Sequence, residues 1–166
     1  MRAEWALAHV GATESLGAAL GQHCPWGLAG PRCLFLCGEL GAGKTTLAAA
    51  ALRALGVTEA VRSPTYALVE IYAVDAGTVV HADLYRLEGE EEVEQLGLRD
   101  HLHQGTVIVL EWPERARKAL PQPDLMVELQ FAAQGRSCCI EAMTNAGELW
   151  LALVQGEMAQ SASGLA

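Results

Sequence analysis

The spacing of apolar positions divides the chain into short elements. Arg32–Cys37 is an apolar run of strand length ending at Gly38, which predicts a buried strand. Thr106–Leu110 is a second such run, rich in β-branched residues. Lys44–Leu55 is rich in Ala and Leu, hence helical, and Gly56 stands where a C-terminal cap belongs. The period then shortens. Tyr66–Val74 and Thr78–Ala82 flank Asp75-Ala-Gly77, a hairpin pattern, and Asp124–Phe131 with Arg136–Met143 forms a second. Further helices are predicted over Glu14–Cys24, capped by Thr13, over Gly89–Leu98, over Glu114–Leu120 behind Pro113, and over Asn145–Val154. Hairpins interrupting a βαβ pattern predict an α/β fold, a mixed parallel and antiparallel sheet flanked by helices. Residues from Gly156 on are small and polar. A single domain over 1–155 is therefore expected, with a disordered tail over 156–166.

Composition narrows the function classes. The chain has 166 residues, is 51% hydrophobic and 19% charged, and contains no apolar run of membrane-spanning length. The N-terminal segment lacks the apolar stretch of a secretory signal. Five cysteines, an odd number with no C-x-x-C pair, read as buried thiols in a reducing cytoplasm. A net charge of −9 argues against a protein that grips a nucleic-acid backbone unaided. The basic cluster Arg115, Arg117, Lys118 and the glutamates between Glu88 and Glu94 read as solvated helix faces. His101 and His103 lack a third metal ligand and read as surface residues.

Gly38-Glu-Leu-Gly-Ala-Gly-Lys-Thr45 matches G-x-x-x-x-G-K-[ST] in full, the phosphate-binding P-loop. A buried strand enters it and a helix leaves it, the context the motif requires. Glu39, Leu40, Gly41, Ala42 and Gly43 form a loop whose backbone N–H groups turn inward around phosphates. Lys44 is placed to reach the β- and γ-phosphates. The Thr45 hydroxyl is placed for Mg²⁺, and Thr46 follows in the first helical turn. The helix directs its positive end at the anion. No N-K-x-D guanine reader is present, so ATP is the expected nucleotide.

Such a site needs an acid at the end of a neighbouring strand. Asp83 ends Thr78-Val-Val-His-Ala-Asp, and Glu111 ends Thr106-Val-Ile-Val-Leu-Glu; either can serve the metal. His81 shares a strand face with Asp83 if the strand is regular, and it reads either as a hydrogen-bonding residue inside the site or, the favoured reading, as one that packs or supports the loop. Ser63-Pro64-Thr65 stands where P-loop proteins often carry a γ-phosphate sensor. Trp112 reads as core or as an interface aromatic, with physical chemistry alone favouring core.

These pieces occur together and in order: Gly-Glu-Leu-Gly-Ala-Gly-Lys-Thr-Thr, Ser63-Pro-Thr-Tyr66, His81-Ala-Asp-Leu-Tyr-Arg86 and Glu111-Trp-Pro-Glu114. In this the chain resembles the TsaE (YjeE) family of bacterial P-loop ATPases, over about Thr13 to Arg136. The H-x-D-x-Y-R and E-W-P-E pair makes the match specific. The resemblance implies ATP hydrolysis with Mg²⁺ in support of threonylcarbamoyladenosine formation in tRNA, next to the anticodon. It implies the partner proteins TsaD and TsaB, with tRNA reached indirectly through their complex. It further implies that Lys44, Asp83 and Glu111 are the catalytic groups, with Asp83 the Walker-B-like acid. Thr45 and Glu111 are then the Mg²⁺ ligands, Thr13 and Arg136 lie near the nucleotide, Ser63–Thr65 is a switch, and Trp112 is functional. Glu39 and Tyr66 stand where Asp and Phe are commoner in the family. Two rival functions are a non-enzymatic nucleotide switch and a small-molecule kinase, the latter lacking any Arg-rich lid segment.

Overall fold

The computed structural model describes residues 1–61, 64 and 68–163. In chain order the elements are β1 (Arg2–Leu7), α1 (Val10–Gln22), β2 (Arg32–Gly38), α2 (Lys44–Ala54), β3 (Val69–Val74), β4 (Gly77–Asp83), α3 (Glu91–Gln95), β5 (Thr106–Glu111), β6 (Leu125–Phe131), β7 (Arg136–Ala142) and α4 (Asn145–Ser163). Single 3₁₀ turns lie at Leu98–His101 and Pro113–Arg115.

The strands form one mixed sheet in the order β1-β7-β6-β2-β5-β4-β3. The unbroken apolar runs take its centre: β2 pairs in parallel with β5 on one side and β6 on the other, and β4 pairs in parallel with β5. Every residue of β5 is buried, as a strand covered on both faces must be. The alternating runs take the flanks as the antiparallel pairs β3–β4, β6–β7 and β1–β7.

Two cores follow from the alternation along the central strands. Leu34, Leu36, Val107, Val109, Val127 and Leu129 face α1, α2 and α4. Phe35, Val80, Ala82, Ile108 and Leu110 face the other way, under Leu84, Leu87, Val93, Leu98 and Ala116 from the loops and α3. On the first face α1 lies directly on α2. A Cβ added at Gly17 would stand 2.4 Å from the Leu47 carbonyl oxygen, so this approach admits no side chain there. Trp150 of α4 is wholly buried and donates its indole N–H to the Leu20 carbonyl (2.8 Å), tying the last helix to the first.

Several boundaries differ from the sequence expectations. Helix α1 begins at Val10, three residues before the predicted cap at Thr13. Its cap is His9, whose Nδ1 accepts the Ala12 N–H at 3.1 Å, which leaves Thr13 inside the helix and 5% exposed. No helix forms over Glu114–Leu120: Ala116 takes φ −150° and ψ 36°, outside the helical region, and is buried in the second core. The first hairpin strand starts at Val69, and Tyr66 lies outside the described residues. Helix α3 is shorter than predicted, ending before Gly97. Helix α4 does not end at Val154; it continues through Ser163, across the stretch expected to fray. Met158 packs against the main core and Glu157 meets the His23 ring at 2.7 Å, and these contacts hold the extra turns. Strand β1 was not anticipated, because six residues with two alanines give a weak alternating signal; its pairing with β7 decides the matter.

Candidate functional site

The parallel strands β2, β4 and β5 end along one edge of the sheet. Chain leaving that edge forms the crevice where ligands of α/β proteins bind. The loop after β2 runs into α2, whose first residue is Lys44. Gly43 caps the helix with φ +110°, a backbone angle that side chains rarely adopt. That turn brings the loop back over the helix N-terminus, where unpaired N–H groups and the helix dipole favour an anion.

The predicted residues converge on this edge. Asp83 and Glu111 are register partners on β4 and β5, so their side chains emerge at one level. Glu111 is 1% exposed and Asp83 5%. The Thr45 hydroxyl donates to Glu111 Oε2 (2.8 Å), and the His81 ring meets Glu111 Oε1 (3.0 Å). Asp83 Oδ1 accepts the Tyr85 backbone N–H (3.0 Å). Lys44 donates to the carbonyls of Gly38 (2.5 Å) and Glu39 (2.9 Å). Burial holds its ammonium below the ordinary lysine value, opposed by the carboxylates of Glu111, Glu114 and Asp83.

Trp112 follows Glu111 with φ +60° and ψ 48°, the left-handed region, which is a strained place for an aromatic residue. Its N–H is held by the Leu36 carbonyl (3.1 Å), beside the strand that feeds the loop. Its ring lies 3.7 Å from Lys44 Nζ and 4.9 Å from the Tyr85 ring. Trp112 therefore lines the crevice beside Lys44 and also packs, half-buried, against the second core, as physical chemistry alone favours.

Two clefts meet at the loop. One of about 390 Å³ is lined by Leu40, Gly41, Gly43, Lys44, Thr45 and Thr46 with Asp83, Tyr85, Glu111 and Trp112. The other, of about 240 Å³, is lined by Thr13, Gly41, Ala42, Gly43, Thr46 and Arg136, with Leu7, His9, Val10 and Gly135. Arg136 donates to the Gly41 carbonyl (3.2 Å) and stacks 4.2 Å from the Phe131 ring. Thr13 and Arg136, far apart in sequence, thus flank the same loop. Pro64 is buried, while Ser63 and Thr65 lie outside the described residues.

The chemistry of the donors fits Mg²⁺. No cluster of three or more His, Cys, Asp or Glu suited to a metal exists among the described residues. Mg²⁺ is a hard ion that binds through one or two protein oxygens and completes its shell with phosphate and water. Adjacent octahedral ligands at ~2.0–2.1 Å from Mg²⁺ stand about 2.9 Å apart. The Thr45 Oγ1–Glu111 Oε2 separation of 2.8 Å lets the pair exchange a hydrogen bond for a shared cation with little movement.

Sequence reasoning missed His9 and the contact of Lys44 with Trp112; it offered a hydrogen bond of His81 inside the site as the less favoured reading, on the i, i+2 spacing with Asp83, but did not name Glu111 as the partner. Cys24, Cys33 and Cys138 are buried and Cys37 is half-buried. Burial raises Cys33, Cys37 and Cys138 to about 12, and Cys24 beyond the ordinary thiol range. No helix among the described residues is long and apolar enough to cross a membrane.

Comparison with known proteins bears on the same region. The family described as "Threonylcarbamoyl adenosine biosynthesis protein TsaE" matches residues 7–138. The chain is 39% identical to the tRNA threonylcarbamoyladenosine biosynthesis protein TsaE of Haemophilus influenzae, over 69% of this chain and 73% of that protein. It is 35% identical to the protein of that name in Bacillus subtilis, over 70% and 73%. With the Streptomyces coelicolor protein identity is 37%, over 70% and 82%. The crystal structure of Bacillus subtilis YdiB superimposes with a TM-score of 0.73 across 95% of this chain and 96% of that one, at 23% identity, a likeness of fold. The family match spans both motif-bearing halves of the crevice, from before Thr13 to beyond Arg136, and on it the chain belongs to the TsaE family.

Proposed function

We propose that this protein binds ATP with Mg²⁺ in the crevice and hydrolyses it in support of threonylcarbamoyladenosine formation in tRNA. It acts with TsaD and TsaB and does not itself transfer the threonylcarbamoyl group. The observation that carries the reading is the meeting of Lys44, Thr45, Glu111 and Asp83 at one sheet edge. The buried carboxylates of Asp83 and Glu111 line the crevice together with the Thr45 hydroxyl, oxygen donors suited to a hard divalent cation. The pathway comes from the names borne by the relatives.

Each residue has a task in this reading. Lys44 must leave the Gly38 and Glu39 carbonyls to pair with phosphate oxygens, which compensate its burial. Loop N–H groups hold the phosphates in line. Thr45 and Glu111 hold the metal, which neutralises charge on the β- and γ-phosphates when bound. Asp83 is placed to orient water on that ion or the attacking water. Thr13 and Arg136 bound the adjoining cleft, where the nucleoside end is accommodated.

The non-enzymatic switch has one observation of its own, the stacking of Trp112 on Lys44. A lysine that moves to phosphate leaves that ring, so nucleotide binding reorganises an aromatic at the crevice mouth. Measuring ATP turnover alone, then with TsaD–TsaB, then with tRNA, separates the readings. Turnover that rises with the partners supports the ATPase. Absent turnover, with nucleotide-dependent association, supports the switch.

A further inference from the structure

His81 is wholly buried on β4 and touches the site from behind. Its Nε2 lies 3.0 Å from Glu111 Oε1, while the other oxygen of that carboxylate accepts from Thr45. Its Nδ1 has no hydrogen-bond partner among the described residues. Because Asp83 and Glu111 are register partners, His81 sits one pleat behind them on the same face.

We infer that His81 is a positioning residue for the metal site: its Nε2–H fixes Glu111 so that Oε2 stays against Thr45. The inference rests on the Mg²⁺–ATP reading above. A glutamate has three side-chain torsions, and a free Glu111 carboxylate would turn toward the Lys44 ammonium, to which it is already electrostatically coupled. Anchoring Oε1 removes that alternative and leaves one oxygen at the spacing an octahedral ion requires. The orphaned atom defines the tautomer. With the proton on Nε2, the partnerless Nδ1 is a bare acceptor, whereas the other tautomer buries an unpaired N–H and sets two acceptors against each other. Packing alone does not require a histidine here, since an apolar side chain of similar size would suit a fully buried strand position.

The test compares wild type, His81→Leu and His81→Gln for the Mg²⁺ concentration that half-saturates binding of a fluorescent ATP analogue. Thermal melts without nucleotide control for folding. His81→Leu is expected to raise that concentration about tenfold, with binding in EDTA unchanged. His81→Gln, whose amide nitrogen falls near the Nε2 position, is expected to recover most of the loss. Long-range ¹⁵N–¹H spectra of the wild type provide a second readout and are expected to show the His81 proton on Nε2. A His81→Leu protein with the wild-type Mg²⁺ requirement overturns the inference alone, as does a proton on Nδ1. A wild type that binds the analogue with no Mg²⁺ dependence overturns the Mg²⁺–ATP reading and the inference together.

Discussion

Replacing Glu111 by glutamine separates what the carboxylate does for function from what it does for folding. The side chain is 1% exposed, and removing an ion that completely from water costs several kcal/mol even after relaxation. Two charge-assisted hydrogen bonds, from Thr45 and His81, return about 1.5–3 kcal/mol each. These contributions nearly cancel. Glutamine gives up both, and its amide can accept from His81 and donate to the Thr45 hydroxyl. The expected change in stability without ligand is therefore within about 1 kcal/mol, or roughly 2–4 °C in Tm for a chain of this size. The ligand-bound state behaves differently. At a hundredfold excess over Kd, Mg²⁺–ATP stabilises the wild type by about 2.7 kcal/mol, roughly 5–11 °C. Glu111→Gln removes a charged ligand oxygen, so this Mg²⁺-dependent shift should fall by more than half, while the shift with ATP in EDTA stays. Differential scanning fluorimetry with and without Mg²⁺ reads both quantities. A full Mg²⁺-dependent shift in the variant would move the metal role to Asp83. A loss of more than about 3 kcal/mol without ligand would mark Glu111 as a structural ion partner.

Trp112→Ala should leave ATP affinity close to that of wild type while lowering tRNA modification in a reconstituted system with TsaD and TsaB. Normal modification by that variant would refute a docking role for the aromatic. Gly17→Val places a branched side chain where even a Cβ meets the Leu47 carbonyl at 2.4 Å, so chemical denaturation should show a loss of about 3 kcal/mol or more. An unchanged midpoint would show that α1 can lift from α2 freely. Half-buried Cys139 should be the first thiol alkylated near pH 8, with half-buried Cys37 slower because burial raises it to about 12, and Cys24, Cys33 and Cys138 protected until unfolding. Mass spectrometry of a labelling time course checks the order.

The central sheet was legible because parallel strands buried on both faces leave unbroken apolar runs, as Arg32–Gly38 and Thr106–Glu111 do. The loop was legible because its chemistry fixes residue types at fixed spacing. Other features depend on contacts between distant residues. Strand β1 exists through its pairing with β7, and α4 extends to Ser163 through Met158 and Glu157. The cap at His9 was hidden because histidine seldom fills that position and Thr13 offered a commoner residue type. The helix expected at Glu114–Leu120 gave way to the demand for Ala116 in the second core. At the site, sequence named Asp83 and Glu111 but could not show that Thr45 and His81 take opposite oxygens of one carboxylate.

The most direct test of the account counts threonylcarbamoyladenosine formed per TsaD–TsaB complex with tRNA, ATP and Mg²⁺ in excess, in the presence of wild type or Lys44→Ala. Lys44 is the one ammonium among the described residues that line the crevice, and its loss leaves phosphate charge uncompensated in a partly dry site. The account predicts many products per complex with wild type, and a yield with folded Lys44→Ala no higher than with TsaD–TsaB alone. Equal yields with the two proteins would contradict it.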